Sequence, residues 1–365
     1  MFQKIDLKQL AELHGPERAF LSLYASGEEG LRSLDSRRDH IRSFLKDVPE
    51  ELEHFEQNLE LVQGWLAEHG EERQEEGVAV FACWALDKVY GLPLTVTVPN
   101  VLWVGSSPYL KPLAELQDEY ENFVVVAADA HGARIDLVTG ARVEEEKRVT
   151  GDVKNRVKKG GWSQKRYARR RQNELHHYAK EVAERLQEMA EKTELDRIVL
   201  LGAKETLREI EEVLPEALLA KVIGERAADL NGEHEALMAE AFEVFFEEER
   251  RSEERLWERI KQEYLGGSLA AVGATAVLKA AAVGQVEAMV VTRDAKIRGT
   301  RCRECDNVVH GTPKTCQICG ASSVFEVDLV DEIVRLLALS SAEVDFVDPI
   351  EGLSEMGDVA ALLRY

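Results

Sequence analysis

The sequence predicts a three-domain protein of mixed α/β and α+β class, with a zinc ribbon inserted in the third domain. Three observations carry this reading. The chain is 365 residues long and 45% hydrophobic, enough for two or three separate cores. Apolar β-like runs recur along it, interspersed with amphipathic helical stretches. Four cysteines stand as Cys302-x2-Cys305 and Cys316-x2-Cys319, and two such knuckles let four thiolates converge tetrahedrally on one structural zinc, with no position open to a substrate.

The first domain, 1–118, opens with the β-like run from Ala19 to Tyr24 and continues with charge-rich amphipathic helices at about 31–47 and 50–69. Strand-like runs at 77–85 and 93–104 follow, with a turn signal at Tyr90-Gly91, which completes an α+β pattern. The second domain, 119–264, begins with Phe123-Val124-Val125-Val126-Ala127-Ala128. A continuous apolar run of that length is the signature of a strand buried on both faces.

A turn at Ala130-His131-Gly132 joins that strand to Arg134–Val138 as a hairpin. A long helix is then marked by Leu175, Tyr178, Val182, Leu186 and Met189 at three- and four-residue spacing. The strand from Asp196 to Gly202 runs into another helix, and its lone glycine reads as a strand-to-helix turn, not a phosphate loop.

A helical stretch over about 232–264 leads to Gly266-Gly267-Ser268, a hinge whose serine is suited to cap the next helix. The third domain, 265–365, reads as helix 269–283, strands 286–292 and 296–301, the ribbon at about 300–322, strand 323–327, helix 328–338, strand 343–347 and a final stretch to Tyr365. His310 lies between the knuckles and is a possible ligand, but four cysteines already complete the shell. Cys83, in an apolar run, reads as an ordinary buried thiol.

The formal charge of −22 argues against nucleic acid as a partner of the whole surface. The average conceals a local reversal. From Lys147 to Arg171 there are eleven basic residues and one acid, Asp152. A solvated basic helix face is the plain reading of such a run. Glycine, tryptophan and tyrosine interleaved with the charge favour an RNA-contacting element, because RNA is gripped by cations together with stacking. The candidate RNA-binding residues are Lys158, Lys159, Lys165, Arg166, Tyr167, Arg169, Arg170 and Arg171. No apolar run approaches the roughly 18 residues that span a bilayer, and the first residues alternate charge with apolar side chains instead of forming a signal segment. The expectation is a cytoplasmic protein with no membrane contact.

Four stretches carry a family resemblance. Lys159-Gly160-Gly161-Trp162-Ser163-Gln164-Lys165-Arg166-Tyr167 resembles the Gly-Gly-Gln-Ser loop and basic helix of the archaeal and eukaryotic class 1 peptide release factors. Tyr109-Leu110-Lys111-Pro112-Leu113 is similar to that family's junction between its first and second domains. The ribbon in the third domain and the ending from Gly357 to Tyr365 also match. The resemblance identifies a bacterial member of this superfamily, which includes Pelota, Balon and quality-control peptidyl-tRNA hydrolases, and implies its three-domain architecture.

Two departures shape what the resemblance implies. Neither the Asn-Ile-Lys-Ser loop nor the Tyr-x-Cys-x-x-x-Phe element that reads stop codons is present. Trp162 replaces the loop glutamine, and a glutamine returns as Gln164. By resemblance, Gly160 and Gly161 allow close backbone approach to the terminal adenosine of tRNA, Trp162 presents a backbone N–H, and Gln164 orients the attacking water, so that peptidyl-tRNA is hydrolysed on the ribosome in rescue or quality control. The alternative is a hibernation factor of the Balon kind that fills the A site without hydrolysis, for which a rigid indole suits stacking. A third reading, an RNA-binding adaptor unrelated to ribosomes, rests on the basic stretch alone. The first two imply contacts with rRNA and peptidyl-tRNA, and with a translational GTPase such as EF-Tu.

Overall fold

A computed structural model describes residues 6–69, 76–139, 142–150, 162–193, 195–230 and 233–365. The chain forms two compact units, one of residues 120–254 and one combining residues 2–119 with residues 255–365.

The first unit is a five-stranded sheet in the order Arg142–Thr150, Gly132–Thr139, Phe123–Ala128, Arg197–Gly202, Val222–Arg226. Phe123–Ala128 pairs antiparallel with Gly132–Thr139 and parallel with Arg197–Gly202. Successive residues of a strand point to opposite faces, so its uninterrupted apolar run needs cover on both. Val124 and Val126 pack with Leu175, Val182 and Leu186 of the helix Trp162–Ala190 and with Leu207 and Ile210 of the helix Lys204–Val213. Phe123, Val125 and Ala127 pack on the other side with Leu237, Ala241 and Phe245 of the helix His234–Gly266.

The hairpin turn is closed by the Asp129 carboxylate, which accepts from the N–H groups of His131 at 2.7 Å and Gly132 at 3.0 Å. Gly202 has φ +136°, and a Cβ there would lie 1.9 Å from the Ala128 carbonyl oxygen, so the glycine serves close backbone approach. Two strands escape the sequence reading. Arg142–Thr150 is an edge strand whose charge density hides it, and Val222–Arg226 is the opposite edge.

The second unit holds two larger sheets and a small one. Lys88–Leu94, Gly77–Cys83, Phe20–Ala25 and Val101–Gly105 form, in that order, an antiparallel sheet. Leu21, Leu23, Val78 and Val80 pack against Phe55, Leu59 and Val62 of the helix Pro49–Glu68. The turn expected at Tyr90-Gly91 is not there. Both residues lie inside a strand, opposite Phe81 and Val80, and the chain reverses at Trp84–Leu86 with Asp87 left-handed at φ 49°. A Cβ on Gly91 would fall 1.9 Å from Trp65 Cε2, so this glycine makes room for an indole on the sheet face. The run expected at 93–104 is likewise divided, between Lys88–Leu94 and Val101–Gly105.

The C-terminal sheet runs Ala270–Val272, Val359–Leu363, Val286–Thr292, Glu343–Val347. The helix expected over 269–283 therefore starts late, as Ala274–Ala282, because Ala270–Val272 is captured by cross-strand pairing with Ala360–Leu362. Ser268 closes the preceding helix instead of opening the next, its N–H bonding to the Glu263 carbonyl at 3.0 Å and its hydroxyl to the Glu263 carboxylate.

The Tyr109-Leu110-Lys111 stretch docks on the start of the helix Leu329–Ser340. Tyr109 donates its hydroxyl to Asp328 at 3.0 Å, and the N–H groups of Leu110 and Lys111 donate to Asp331 Oδ1 at 2.6 and 2.9 Å. Lys111 Nζ reaches the Ala295 carbonyl at 3.0 Å. Among the described residues, no helix is long and apolar enough to cross a membrane.

Candidate functional site

The helix Trp162–Ala190 starts at the residue after the paired glycines. Lys158, Lys159, Gly160 and Gly161 lie outside the described residues. Trp162, Gln164, Lys165 and Tyr167 fall within the first turns by their backbone, and their side chains lie outside what is described. The helix's rotation is dictated by its apolar stripe, since Leu175, Tyr178, Val182, Leu186 and Met189 are all buried against the sheet. Arg166, Arg169 and Arg170 are exposed, and i, i+3, i+4 spacing stacks them on one face.

Arg171 is placed differently. Its guanidinium makes a bidentate pair with Glu205, at 2.6 and 3.0 Å, on the helix Lys204–Val213, which holds it above its ordinary pKa. One helical turn further along that helix, Glu209 accepts from Gln172 Nε2 at 2.5 Å and meets His176 Nδ1 at 2.7 Å. Glu209 is only 7% exposed. The sequence reading missed this pair of carboxylates, although their i, i+4 spacing on an amphipathic helix was a signal that they share a face. The described part of this site can grip phosphate and hold a helix in place. It offers no nucleophile–base pair.

The four cysteines converge. Their sulfurs all lie within 4.8 Å of one another, with Cys302 to Cys319 and Cys305 to Cys316 both at 3.6 Å. Tetrahedral zinc with bonds of about 2.3 Å asks for sulfur separations near 3.8 Å, so the donor set fits. The two knuckles repeat each other at an offset of fourteen residues. Glu304 N–H and Ile318 N–H each donate to the first sulfur of their knuckle at 3.4 Å. Asp306 and Gly320, each just after the second cysteine, are left-handed at φ 57° and 77°. Backbone N–H groups of Cys319 and Ile318 lower the Cys316 thiol, while burial and the neighbouring sulfurs raise Cys305 and Cys319, as four thiols crowded together must divide their protons.

His310 is outside the cluster, with Nδ1 3.1 Å from the Thr275 hydroxyl. The ribbon strands Arg298–Cys302, Val308–His310 and Val324–Asp328 form their own small sheet. Cys83 is fully buried, and burial raises its thiol, as an inert core cysteine requires.

Residues 108–245 match the family model of bacterial archaeo-eukaryotic release factor family 10. Peptide chain release factor subunit 1 of Methanopyrus kandleri is 32% identical over 212 residues, covering 55% of this chain and 51% of that protein. The same protein of Thermococcus onnurineus is 27% identical over 389 aligned positions, covering 98% of this chain and 89% of the relative. Among solved structures, the archaeal translation termination factor aRF1 is 17% identical over 99% of this chain and 98% of its own, with a TM-score of 0.28. Pelota of Archaeoglobus fulgidus is 14% identical over 79% of each chain, with a TM-score of 0.31.

Proposed function

This chain is a bacterial member of the archaeo-eukaryotic release-factor superfamily, and from that membership we propose that it enters the ribosomal A site and hydrolyses peptidyl-tRNA without reading a stop codon. The observation that carries the proposal is the exposed Arg166, Arg169 and Arg170 stripe beginning just after the Gly160-Gly161 motif. A stripe of exposed arginines is suited to following an RNA backbone.

In the reaction, water adds to the ester carbonyl, the bond to the 3′ oxygen of the terminal adenosine breaks, and that oxygen leaves with a proton. Gly160 and Gly161 permit close approach of the backbone, Trp162 offers its N–H to the developing oxyanion, and Gln164 orients the water. Positioning and preorganised dipoles do this work without a nucleophilic side chain, and the ribosome supplies the remainder of the site. Lys158, Lys159, Lys165 and Tyr167 extend the RNA contact on either side of the loop. Cys302, Cys305, Cys316 and Cys319 hold a structural zinc, which stiffens the ribbon and takes no part in the chemistry. A translational GTPase, EF-Tu in bacteria, is the protein partner we assign to the C-terminal unit.

One feature favours a second reading. Trp162 stands where the superfamily's release loop carries glutamine, and a rigid indole that stacks on a base makes a plug, so the protein would occupy idle ribosomes without cutting. Ribosomes loaded with labelled peptidyl-tRNA separate the two. Under hydrolysis, Gln164→Ala leaves binding intact and lowers release by about 10²- to 10³-fold, the usual loss of one transition-state dipole. Under plugging, wild type releases nothing, and Trp162→Ala weakens occupancy by about 1–3 kcal/mol.

A further inference from the structure

We propose that Arg171 is a positioning residue and not an RNA ligand: Glu205 and Glu209 grip the basic helix through Arg171, Gln172 and His176, and so set the rotation at which Arg166, Arg169 and Arg170 meet phosphates. The inference rests on the ribosome-binding reading above. It divides the run of three consecutive arginines, which sequence alone treats as equivalent, into two RNA-facing residues and one anchor.

Three features support the division. Arg169 and Arg170 are exposed, whereas Arg171 is turned to Glu205, its side chain 20% exposed and both terminal nitrogens engaged. A guanidinium whose fork is filled by a carboxylate has no fork left for phosphate. Secondly, the grip is repeated one turn on, where the nearly buried Glu209 takes Gln172 and His176. Two attachments along the helix oppose rolling as well as lifting.

Thirdly, among the described residues the apolar stripe that seats this helix runs from Leu175 to Met189, and the turns that carry Arg166, Arg169 and Arg170 precede it. A helix rises 1.5 Å and turns 100° per residue. Small rolls of the helix move long arginine side chains by ångströms, and the carboxylates attach it at Arg171 and Gln172, between those arginines and the stripe.

The salt dependence of ribosome binding separates an anchor from an RNA ligand. Each phosphate that a cation ceases to neutralise lowers the slope of log K against log salt by about 0.7–0.9. Arg169→Gln should lower the slope by that amount. Arg171→Gln should reduce affinity by roughly 3- to 10-fold, the weakening expected when one charged, hydrogen-bonded anchor is removed, while leaving the slope unchanged. Arg171→Glu and Glu205→Arg should each weaken binding, and the double exchange should restore it to within about twofold.

Amide hydrogen exchange over residues 162–172 provides the second measurement. It should quicken in each single variant and in Glu209→Gln, and return to the wild-type rate in the double exchange. A lowered slope for Arg171→Gln, or a double exchange that stays weak, would make Arg171 an RNA ligand and overturn the proposal. Unchanged exchange in all variants would overturn the grip itself. Wild-type protein that fails to bind ribosomes would instead refute the binding reading and the RNA half of this inference with it, with exchange still reporting on the grip.

Discussion

Two helices in this molecule use carboxylates to capture another segment of chain, and they do so under opposite conditions. At the start of Leu329–Ser340, Asp331 is buried and accepts two backbone N–H groups from the Leu110-Lys111 stretch. On Lys204–Val213, Glu205 is half-exposed and pairs with a guanidinium. The buried acceptor holds neutral donors that have nowhere else to bond, so its loss leaves polar groups stranded. The exposed acceptor holds a charge that water and salt also stabilise, so its loss costs little in stability. The same residue chemistry therefore fixes the fold in one place and adjusts the aim of a helix in the other.

The largest effect is expected at the ribbon, which is tied to the buried helix. Arg301, immediately before Cys302, is 1% exposed and is paired with Glu332 and, at 2.9 Å, with Asp306. Arg303 and Asp306 in turn contact Glu17 and His14. Zinc removal by chelation, or Cys316→Ser, should abolish one bound zinc per chain by metal analysis. It should also lower stability by several kcal/mol, less than the roughly 10–16 kcal/mol of isolated zinc-finger peptides because the ribbon's strands retain their own sheet. Chain cleavage near residues 11–18 should become faster in limited proteolysis. Full retention of stability without metal would mean that the four thiols carry no load.

Next in size is Asp331. Burial raises its pKa most and the charges of Glu332 and Asp328 add to the rise, against the pull of the two N–H donors. An acid raised above its unfolded value of about 3.9 holds its proton more tightly when folded. Its contribution to stability is thus whole below about pH 4 and is lost as the pH climbs through the folded value. Asp331→Asn keeps an oxygen for both N–H groups and cannot ionise, so its urea-unfolding free energy should fall less than wild type's between acid and neutral pH. Asp331→Ala, which strands both donors, should cost about 2–4 kcal/mol in acid, and less at neutral pH, because wild type but not the variant loses stability as the carboxyl ionises. An Asn variant with the wild-type pH profile would show that the carboxyl titrates alike in both states.

How far these features were legible in the sequence follows the same division. The strand Phe123–Ala128, the stripe from Leu175 to Met189 and the spacing of the four cysteines could be read because each is a local pattern with one physical cause. Gly91 misled, since a glycine beside a tyrosine in a mixed run signals a turn until Trp65 is seen above it. The alanine-rich 269–283 segment misled because alanine favours helix, while the strand pairing that captures its start comes from the distant Ala360–Leu362. The basic run was visible, but its partition was not. Glu174 is a local partner of Arg170, four residues on along the same helix, whereas only the fold brings Glu205 to Arg171.

Glu174 supplies the smallest and most selective prediction. It lies one turn after Arg170 on the same helix, with its carboxylate 2.9 Å from the guanidinium and the Arg170 side chain 65% exposed. A pair this open contributes about 0.3–0.5 kcal/mol at most, and arginine preceding glutamate is the weaker orientation against the helix dipole. Glu174→Gln should therefore leave the unfolding midpoint almost where it is. Under the ribosome-binding proposal, however, that carboxylate would compete with phosphate for Arg170 and repel the backbone beside it. Removing its charge should strengthen binding about two- to threefold at low salt, a gain that fades as screening rises. Glu205→Gln, one helix away, should act in the opposite direction, weakening binding because it releases the anchor. If both substitutions strengthened binding, the two carboxylates would be equivalent repulsive charges, and the distinction between aiming a helix and merely neighbouring it would fall.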